Sequence, residues 1–258
     1  MSFYGSADFL MEVAKGNVEG HRIFNVKGSN PEVGTSLEDV WDPGGTRTDP
    51  AANESWELVS ADADDTAAGN GAQEVTIVYL DDTYVEQTPV VVATNGGTVS
   101  TGITDGFRPI GMAVTAAGST GGNEGNITLK VTGGGATRAQ INFDSDPGRL
   151  FGESRTIDSH YTVPLGKTAI LISFFNDINK DEDCHFFWRR TTGADGIYKT
   201  LFTTSVYQSE FGMTLVAGSE QLEEKTDFKV TCNSSNTLGV ASMFSQLLVI
   251  DNELVNQA

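Results

Sequence analysis

The stretch that decides the fold is Val75-Thr76-Ile77-Val78-Tyr79-Leu80, a run of β-branched, aromatic and leucine side chains. Such side chains favour extended strands over helices. The run stops at Asp81-Asp82, a turn signal, and a second strand follows that ends in Val90-Val91-Val92. The local pattern therefore predicts strands joined by short polar turns.

The same pattern of strands and turns extends in both directions from this stretch. Further strands are predicted at residues 56–60, 110–114, 127–131, 168–175, 184–190, 198–203, 211–216, 228–232 and 240–250. Glycine-rich loops at 118–122 and 133–135 separate some of them. Short strands at this spacing are typical of β-sandwiches and jelly rolls, so the sequence predicts an all-β fold.

The first 30 residues differ from the rest of the chain. Residues 7–15 have the composition of a short helix that Gly16 ends, and residues 21–26 have that of a short strand. This segment is too small to hold a core of its own, so we expect an arm that packs on something else. A cluster of turn residues at 144–148 marks a boundary. The predicted organisation is an N-terminal arm (1–30), a β-sandwich domain (31–147) and a β-sandwich or jelly-roll domain (148–258).

Charge and hydropathy restrict the class of partner. Sixteen basic residues stand against 35 acidic ones, for a formal net charge of −19. A protein that grips phosphate backbones needs a basic face, so we expect no nucleic-acid partner. No apolar stretch approaches the roughly 18 residues that a membrane-spanning helix needs. Residues 1–6 lack a basic region followed by an apolar block, so we expect no secretory signal and no membrane partner.

The two cysteines, Cys184 and Cys232, are too few for a disulfide-rich secreted scaffold. We expect two reduced, half-buried thiols in a protein assembled in a cytoplasm. A disulfide between adjacent strands is the alternative.

One acidic loop has the composition of a calcium site. Oxygen ligands occur at every second position, in Asp177, Asn179, Asp181 and Asp183. The glycine that an EF-hand needs at its sixth position is Glu182, and the glutamate at its twelfth is Trp188. A polar hairpin loop is therefore the favoured interpretation, with calcium as the alternative and no other cofactor expected. A second acidic cluster, formed by Asp62, Asp64 and Asp65, is interpreted as a solvated loop.

No motif predicts catalysis. Gly166-Lys167-Thr168 matches the end of a phosphate-binding loop, but its first glycine is replaced by Tyr161 and the following residues predict a strand. The three histidines lie in separate regions, and neighbours on a strand such as Cys184 and His185 point to opposite faces. We therefore expect no enzymatic activity and no catalytic residue.

Aromatic residues concentrate around one predicted strand. They are Phe186, Phe187 and Trp188, beside Arg189, with Tyr198 and Tyr207 further along the chain. Such a group can line a sugar-binding platform, but large apolar side chains on strands are more often buried for packing. The core interpretation is favoured.

Several stretches resemble β-rich virion structural proteins encoded by marine and other environmental tailed phages. They are Glu38 to Thr46, Asp64 to Ala72, Leu80 to Tyr84, Gly118 to Thr128, and Tyr161 to Ala169. The resemblance spans roughly residues 20–175. The chain departs from it at Tyr79, because such proteins commonly have glycine before the Leu-Asp pair.

The resemblance implies a location in the virion, after assembly in the host cytoplasm, and transfers no catalytic residue. It implies a capsid decoration protein whose partners are the major capsid protein or tail proteins. A tail-associated fibre or a glycan-binding adhesin on the particle surface is the alternative. We also expect a homo-oligomer, with a trimer favoured. The arm is predicted to attach the protein to the shell through its apolar residues, which are Phe3, Phe9, Leu10, Met11, Val13, Ile23 and Phe24.

Overall fold

The computed structural model describes residues 6–144, 151–179, 183–207, 210–214, 220–235 and 239–255. Strands dominate these residues, which confirms the all-β class. The helices are α1 (Ser6–Ala14) and α2 (Asn252–Val255). The first ten strands are β1 (His21–Val33), β2 (Glu38–Asp39), β3 (Trp56–Ser60), β4 (Ala72–Leu80), β5 (Val90–Ala93), β6 (Thr98–Ser100), β7 (Arg108–Ala117), β8 (Ile127–Val131), β9 (Thr137–Ile141) and β10 (Phe143–Asp144).

The remaining strands lie in the second half of the chain. They are β11 (Phe151–Gly152), β12 (Tyr161–Thr162), β13 (Lys167–Ile178), β14 (Asp183–Arg190), β15 (Lys199–Tyr207), β16 (Glu210–Thr214), β17 (Gln221–Leu222), β18 (Asp227–Ser234) and β19 (Gly239–Asp251). Neither described helix has the length and apolar character needed to cross a lipid bilayer.

The chain forms two compact units. The first contains Met1–Val40 and Ser159–Ala258, and the second contains Trp41–Asp158. These limits differ from the predicted ones at residues 30 and 147, because the N-terminal segment joins the C-terminal half of the chain. Strand β1 pairs antiparallel with β19, from His21 opposite Ile250 to Val33 opposite Gly239. The segment predicted as a free arm is thus largely an edge strand of its own unit.

Two sheets build the first unit. One has the strand order β1-β19-β13-β16, with β17 also paired to β13, and the other has the order β12-β18-β14-β15, with β2 also paired to β18. A single apolar cluster takes Leu171 and Phe174 from the first sheet and Phe186, Trp188 and Val230 from the second. The core of this unit is therefore shared between the two sheets.

The second unit contains the stretch that decided the fold. Its larger sheets have the orders β6-β3-β8-β9 and β5-β4-β7, and β10 pairs with β11. In β4, Val75 and Ile77 are fully buried and lie in one cluster with Trp56, Leu58 and Leu129 from the other sheet. The predicted strand is thus confirmed, and Val75 and Ile77 share its buried face because alternate side chains of a strand point to one side.

Candidate binding surfaces

The predicted attachment residues on α1 partly serve the protein's own packing. Val13 is buried, and the ring of Phe9 makes an edge-on contact with His21 of β1 at 5.6 Å between centroids. Leu10 is half-buried, whereas Met11 is 56% exposed. Phe3 lies outside the described residues. On this helix, Met11 is the apolar side chain most available to a partner.

The two attachment residues on β1 are half-buried within the sheet. Ile23 lies opposite Leu248 of β19, and Phe24 lies opposite Leu247. The ring of Phe24 also contacts Tyr161 at 4.5 Å between centroids and packs against the core cluster. Phe24 therefore has an internal role, and attachment through the N-terminal segment stays a prediction.

A second apolar surface, absent from the sequence-based predictions, lies on β16. Every residue of this edge strand is exposed, with Phe211 at 36% and Met213 at 48%. Phe211 lies opposite Asn176 of β13, and Met213 opposite Phe174, so both share the core-facing side of the sheet. We call Phe211 and Met213 the β16 surface. The signal in the sequence was their alternation with Glu210, Gly212 and Thr214, which gave no indication of exposure.

Three of the four candidate calcium ligands lie among the residues that the structure describes, at or next to the facing ends of β13 and β14. Asp177 lies opposite Glu210, Asn179 Oδ1 accepts a hydrogen bond from the Val240 amide at 2.9 Å, and Asp183 begins β14. Asp181 lies outside the described residues. No group of three or more candidate metal-binding side chains occurs among those that are described. Calcium binding by this loop stays a prediction.

Asp65 is not the solvated residue that its acidic cluster suggested. It is fully buried, and its carboxylate accepts hydrogen bonds from Ser60 Oγ, from the Ala72 and Glu124 amides at 2.8 Å, and from the Gly125 amide at 3.1 Å. The expectation of a solvated loop was wrong for this residue. Asp64, its neighbour, is exposed as expected.

The aromatic strand is part of the core. Phe186 and Trp188 are fully buried, and the Trp188 ring stacks on Phe202 at 5.0 Å between centroids. The core interpretation is therefore confirmed for these two residues. Tyr207, at the end of β15, is 57% exposed and so is not part of this buried group.

A buried ion pair lies next to Tyr198. The Lys229 ammonium is 2.8 Å from Asp39 Oδ1 and 4.5 Å from the centre of the Tyr198 ring, while His160 Nε2 is 3.8 Å from the same Asp39 oxygen. Charges taken out of water need such pairing. Sequence patterns gave no indication of this group, since Asp39 lies more than 100 positions before its other members.

The two cysteines are free and fully buried, deeper than the half-buried thiols expected from the sequence. Cys232 lies opposite Phe186 on β14, two residues from Cys184. A hydrogen bond with Cys184, together with burial, raises the pKa of Cys232 well above its usual value. Such a thiol stays protonated, so it is a poor nucleophile. His185 contacts Ser205 Oγ at 2.7 Å and lies on the opposite face of the strand from Cys184.

The fragment that matches the end of a phosphate-binding loop leads into a strand. Lys167 begins β13, as predicted, and its ammonium pairs with Asp251. Anion binding of this type needs the N-terminus of a helix, which this segment does not provide.

A group of acids around the buried Asp42 in the second unit was also absent from the sequence-based predictions. Asp42 is 3% exposed, and Ile157 donates its amide to Asp42 Oδ2 at 3.0 Å. Burial, followed by the nearby charge of Glu153, raises the pKa of Asp42 to about 9. Arg47 lies beside this group and binds Asp158 at 2.6 Å.

Comparison with known proteins gives no family assignment. No family model matches the chain, and no curated protein sequence matches it. Solved structures that align with it include capsid proteins of infectious bursal disease virus. The VP2 subviral particle has 11% identity and a TM-score of 0.21 over 91% of this chain and 73% of that chain. The structure of the Gt strain has 11% identity and a TM-score of 0.23, and that of the Gx strain has 9% identity and a TM-score of 0.22. Both alignments cover 90% of this chain and 73% of the other chain. At these scores the likeness carries no argument about function.

Proposed function

We propose that this chain is a non-enzymatic structural protein of a virus particle, acting as a capsid decoration protein. Its mechanism is binding: it attaches to the shell and to other copies of itself through apolar contacts. The resemblance to virion structural proteins of tailed phages supports the location. The proposal includes two β-sandwich units, which the apolar clusters shared between pairs of sheets support.

The observation that carries the proposal is the β16 surface. An exposed edge strand offers both unpaired backbone groups and apolar side chains to a partner. Phe211 and Met213 lie on the core-facing side of their sheet yet stay 36% and 48% exposed. Such an edge is useful to a protein that binds a neighbouring subunit, whereas in a free monomer it promotes aggregation.

The glycan-binding alternative loses its main support. It required an accessible platform near Trp188, and both Trp188 and Phe186 are fully buried. Attachment to the tail instead of the shell stays an alternative. It predicts fewer copies of the chain per particle than the proposal does.

Quantitative mass spectrometry of purified particles tests the proposal. A decoration protein should be present in hundreds of copies per particle. A few to a few dozen copies would indicate a tail or fibre protein and overturn the decoration role. If cells produce the chain but the particles purified from them lack it, the proposed location in the virion is wrong.

A further inference from the structure

The second unit begins and ends with two segments that are held together by polar contacts. The backbone of Trp41 pairs with that of Asp158. The Ile157 amide donates to Asp42 Oδ2 at 3.0 Å, and Arg47 Nη1 binds Asp158 Oδ2 at 2.6 Å. Because unit 2 consists of Trp41–Asp158, these contacts join its first residues to its last.

Asp42 lacks a normal donor at one of its two oxygens. Among the described residues, no amide, amine or hydroxyl group donates to its Oδ1, and the side chain is 3% exposed. The neighbouring group is the carboxyl of Glu153, which acts on Asp42 both through its charge and as a hydrogen-bond partner for the neutral acid. Two carboxyl groups can form that bond only if one of them carries a proton.

The other charges around Asp42 do not remove the need for this proton. Glu153 and Asp158 are both acidic and act on it unfavourably. Arg47 brings a positive charge, but its guanidinium is directed at Asp158 and, at 3.3 Å, at Asp49. Burial itself disfavours the charged form of a carboxyl group. The neutral acid is therefore the form that fits this position.

We propose that Asp42 is protonated at neutral pH, donates a hydrogen bond to Glu153, and so acts as a proton-controlled lock between the first and last segments of unit 2. Loss of the proton places two carboxylates in contact at a buried site. The contacts of Asp42 and Asp158 with the opposite segment are then opposed by charge repulsion. This property is independent of the proposed location in a virion.

The lock has a defined pH dependence. The pKa of Asp42 rises from 3.8 to about 9 on folding, mainly because the group is buried. Between these values the folded chain binds more protons than the unfolded chain, so the free energy of unfolding falls as pH rises. The contribution of Asp42 is fully present below pH 3.8, decreases as the pH rises, and is least favourable above about pH 9.

Thermal unfolding of the full chain at pH 5, 7 and 9 tests the lock with Asp42→Asn. Asparagine keeps an oxygen for the Ile157 amide and donates permanently to Glu153, without a titratable proton. We expect the Tm of the variant, relative to the original chain, to rise by roughly 4 °C or more from pH 5 to pH 9. Asp64→Asn, at an exposed aspartate, should follow the original chain at every pH. Parallel curves for Asp42→Asn and the original chain would overturn the proposal.

Infrared spectroscopy of the original chain gives a second readout that does not depend on the variant folding. A protonated carboxyl band should be present at pH 7 and lost as the pH rises above about 9. Its absence at pH 7 would overturn the proposal. EDTA provides a further arm: if chelation removes the pH dependence, a bound cation and not a proton joins the two acids, and the proposal fails.

Discussion

At the residue scale, Asp65 is the polar group that organises the loops of unit 2. Its two carboxylate oxygens each accept two hydrogen bonds, three of the four from backbone amides. Removing the carboxylate leaves buried amides without acceptors. We therefore expect Asp65→Ala to lower the free energy of unfolding by about 3 kcal/mol or more, measured by chemical denaturation.

Two variants separate this role from a general effect of removing an acid. Asp65→Asn should also destabilise the protein. The amide nitrogen of asparagine cannot accept a hydrogen bond, and in place of either carboxylate oxygen it faces at least one backbone N–H group. Asp64→Ala removes an exposed carboxylate next door and should change stability by less than about 0.5 kcal/mol. Equal, small effects for Asp65→Ala and Asp64→Ala would contradict the assigned role.

Sequence reasoning at this scale succeeds for apolar side chains and fails for polar ones. Phe186 and Trp188 were predicted to be core residues because burial of large apolar surface is favourable almost wherever it occurs. Asp65 and Asp42 belong to the opposite case. An aspartate is buried only where the fold supplies hydrogen-bond donors, and those come from residues such as Glu124 and Ile157, far away in the chain.

At the element scale, β1 makes the N-terminal segment, predicted to be an arm, part of the fold of the first unit. It is an edge strand paired with β19, and its Val26 is buried in the shared core. A chain that starts at Asn30 would lose most of this strand. We expect it to lose the cooperative melting of the first unit, measured by circular dichroism and calorimetry.

The matched truncation starts at Asn17, which removes α1 but keeps all of β1. It loses the buried Val13 and should be destabilised by less, while retaining cooperative melting. If the chain that starts at Asn30 melts as cooperatively as the full chain, β1 is dispensable and the segment is an arm after all.

The edge between β13 and β16 contains a like-charge pair. Asp177 lies directly opposite Glu210, an arrangement that destabilises antiparallel sheets. Glu210→Lys should therefore raise the free energy of unfolding by about 0.2–1 kcal/mol at low ionic strength, with the gain shrinking in 1 M salt. Glu210→Lys also makes the net charge less negative. Glu74→Lys changes the net charge by the same amount and serves as the control, because Glu74 lies opposite Ala93 and Ala116 and not opposite another acid. Equal gains in both variants would refute the pairwise effect.

The same edge provides the test for calcium. If the loop that contains Asp177 and Asp183 binds the ion, EDTA should lower the Tm of the original chain, because a ligand that binds the folded state stabilises it. Asp181→Ala should then remove the effect of EDTA. No effect of EDTA would leave the polar hairpin interpretation.

The elements themselves were more predictable than their partners. Runs such as 127–131 and 240–250 were identified as strands because alternation of side chains is a local property. The pairing of β1 with β19 joins residues more than 200 positions apart, and no local pattern specifies it. The domain limits depend on that pairing, which explains why they were placed elsewhere.

At the scale of the whole molecule, charge limits where two copies can meet. A net charge of −19 opposes association of identical chains over most of their surface. Strands β15 and β16 contain one basic and one acidic side chain, Lys199 and Glu210, so together they have no formal net charge. The β16 surface therefore combines apolar exposure with strands that add no net charge of their own.

We expect copies of this chain to associate through the β16 surface, in a homo-oligomer for which a trimer is the favoured state. Burying a large apolar side chain contributes about 1.5–3 kcal/mol, so the double change Phe211→Ser and Met213→Ser should weaken association strongly. Leu165→Ser is the control, because Leu165 is 41% exposed at another place in the first unit. Light scattering over a range of concentrations measures the mass of the assembly.

Added salt should strengthen association of the original chain by screening the repulsion between acidic copies. A chain that stays monomeric at every concentration and salt level, or equal weakening by Leu165→Ser, would contradict an interface at β16.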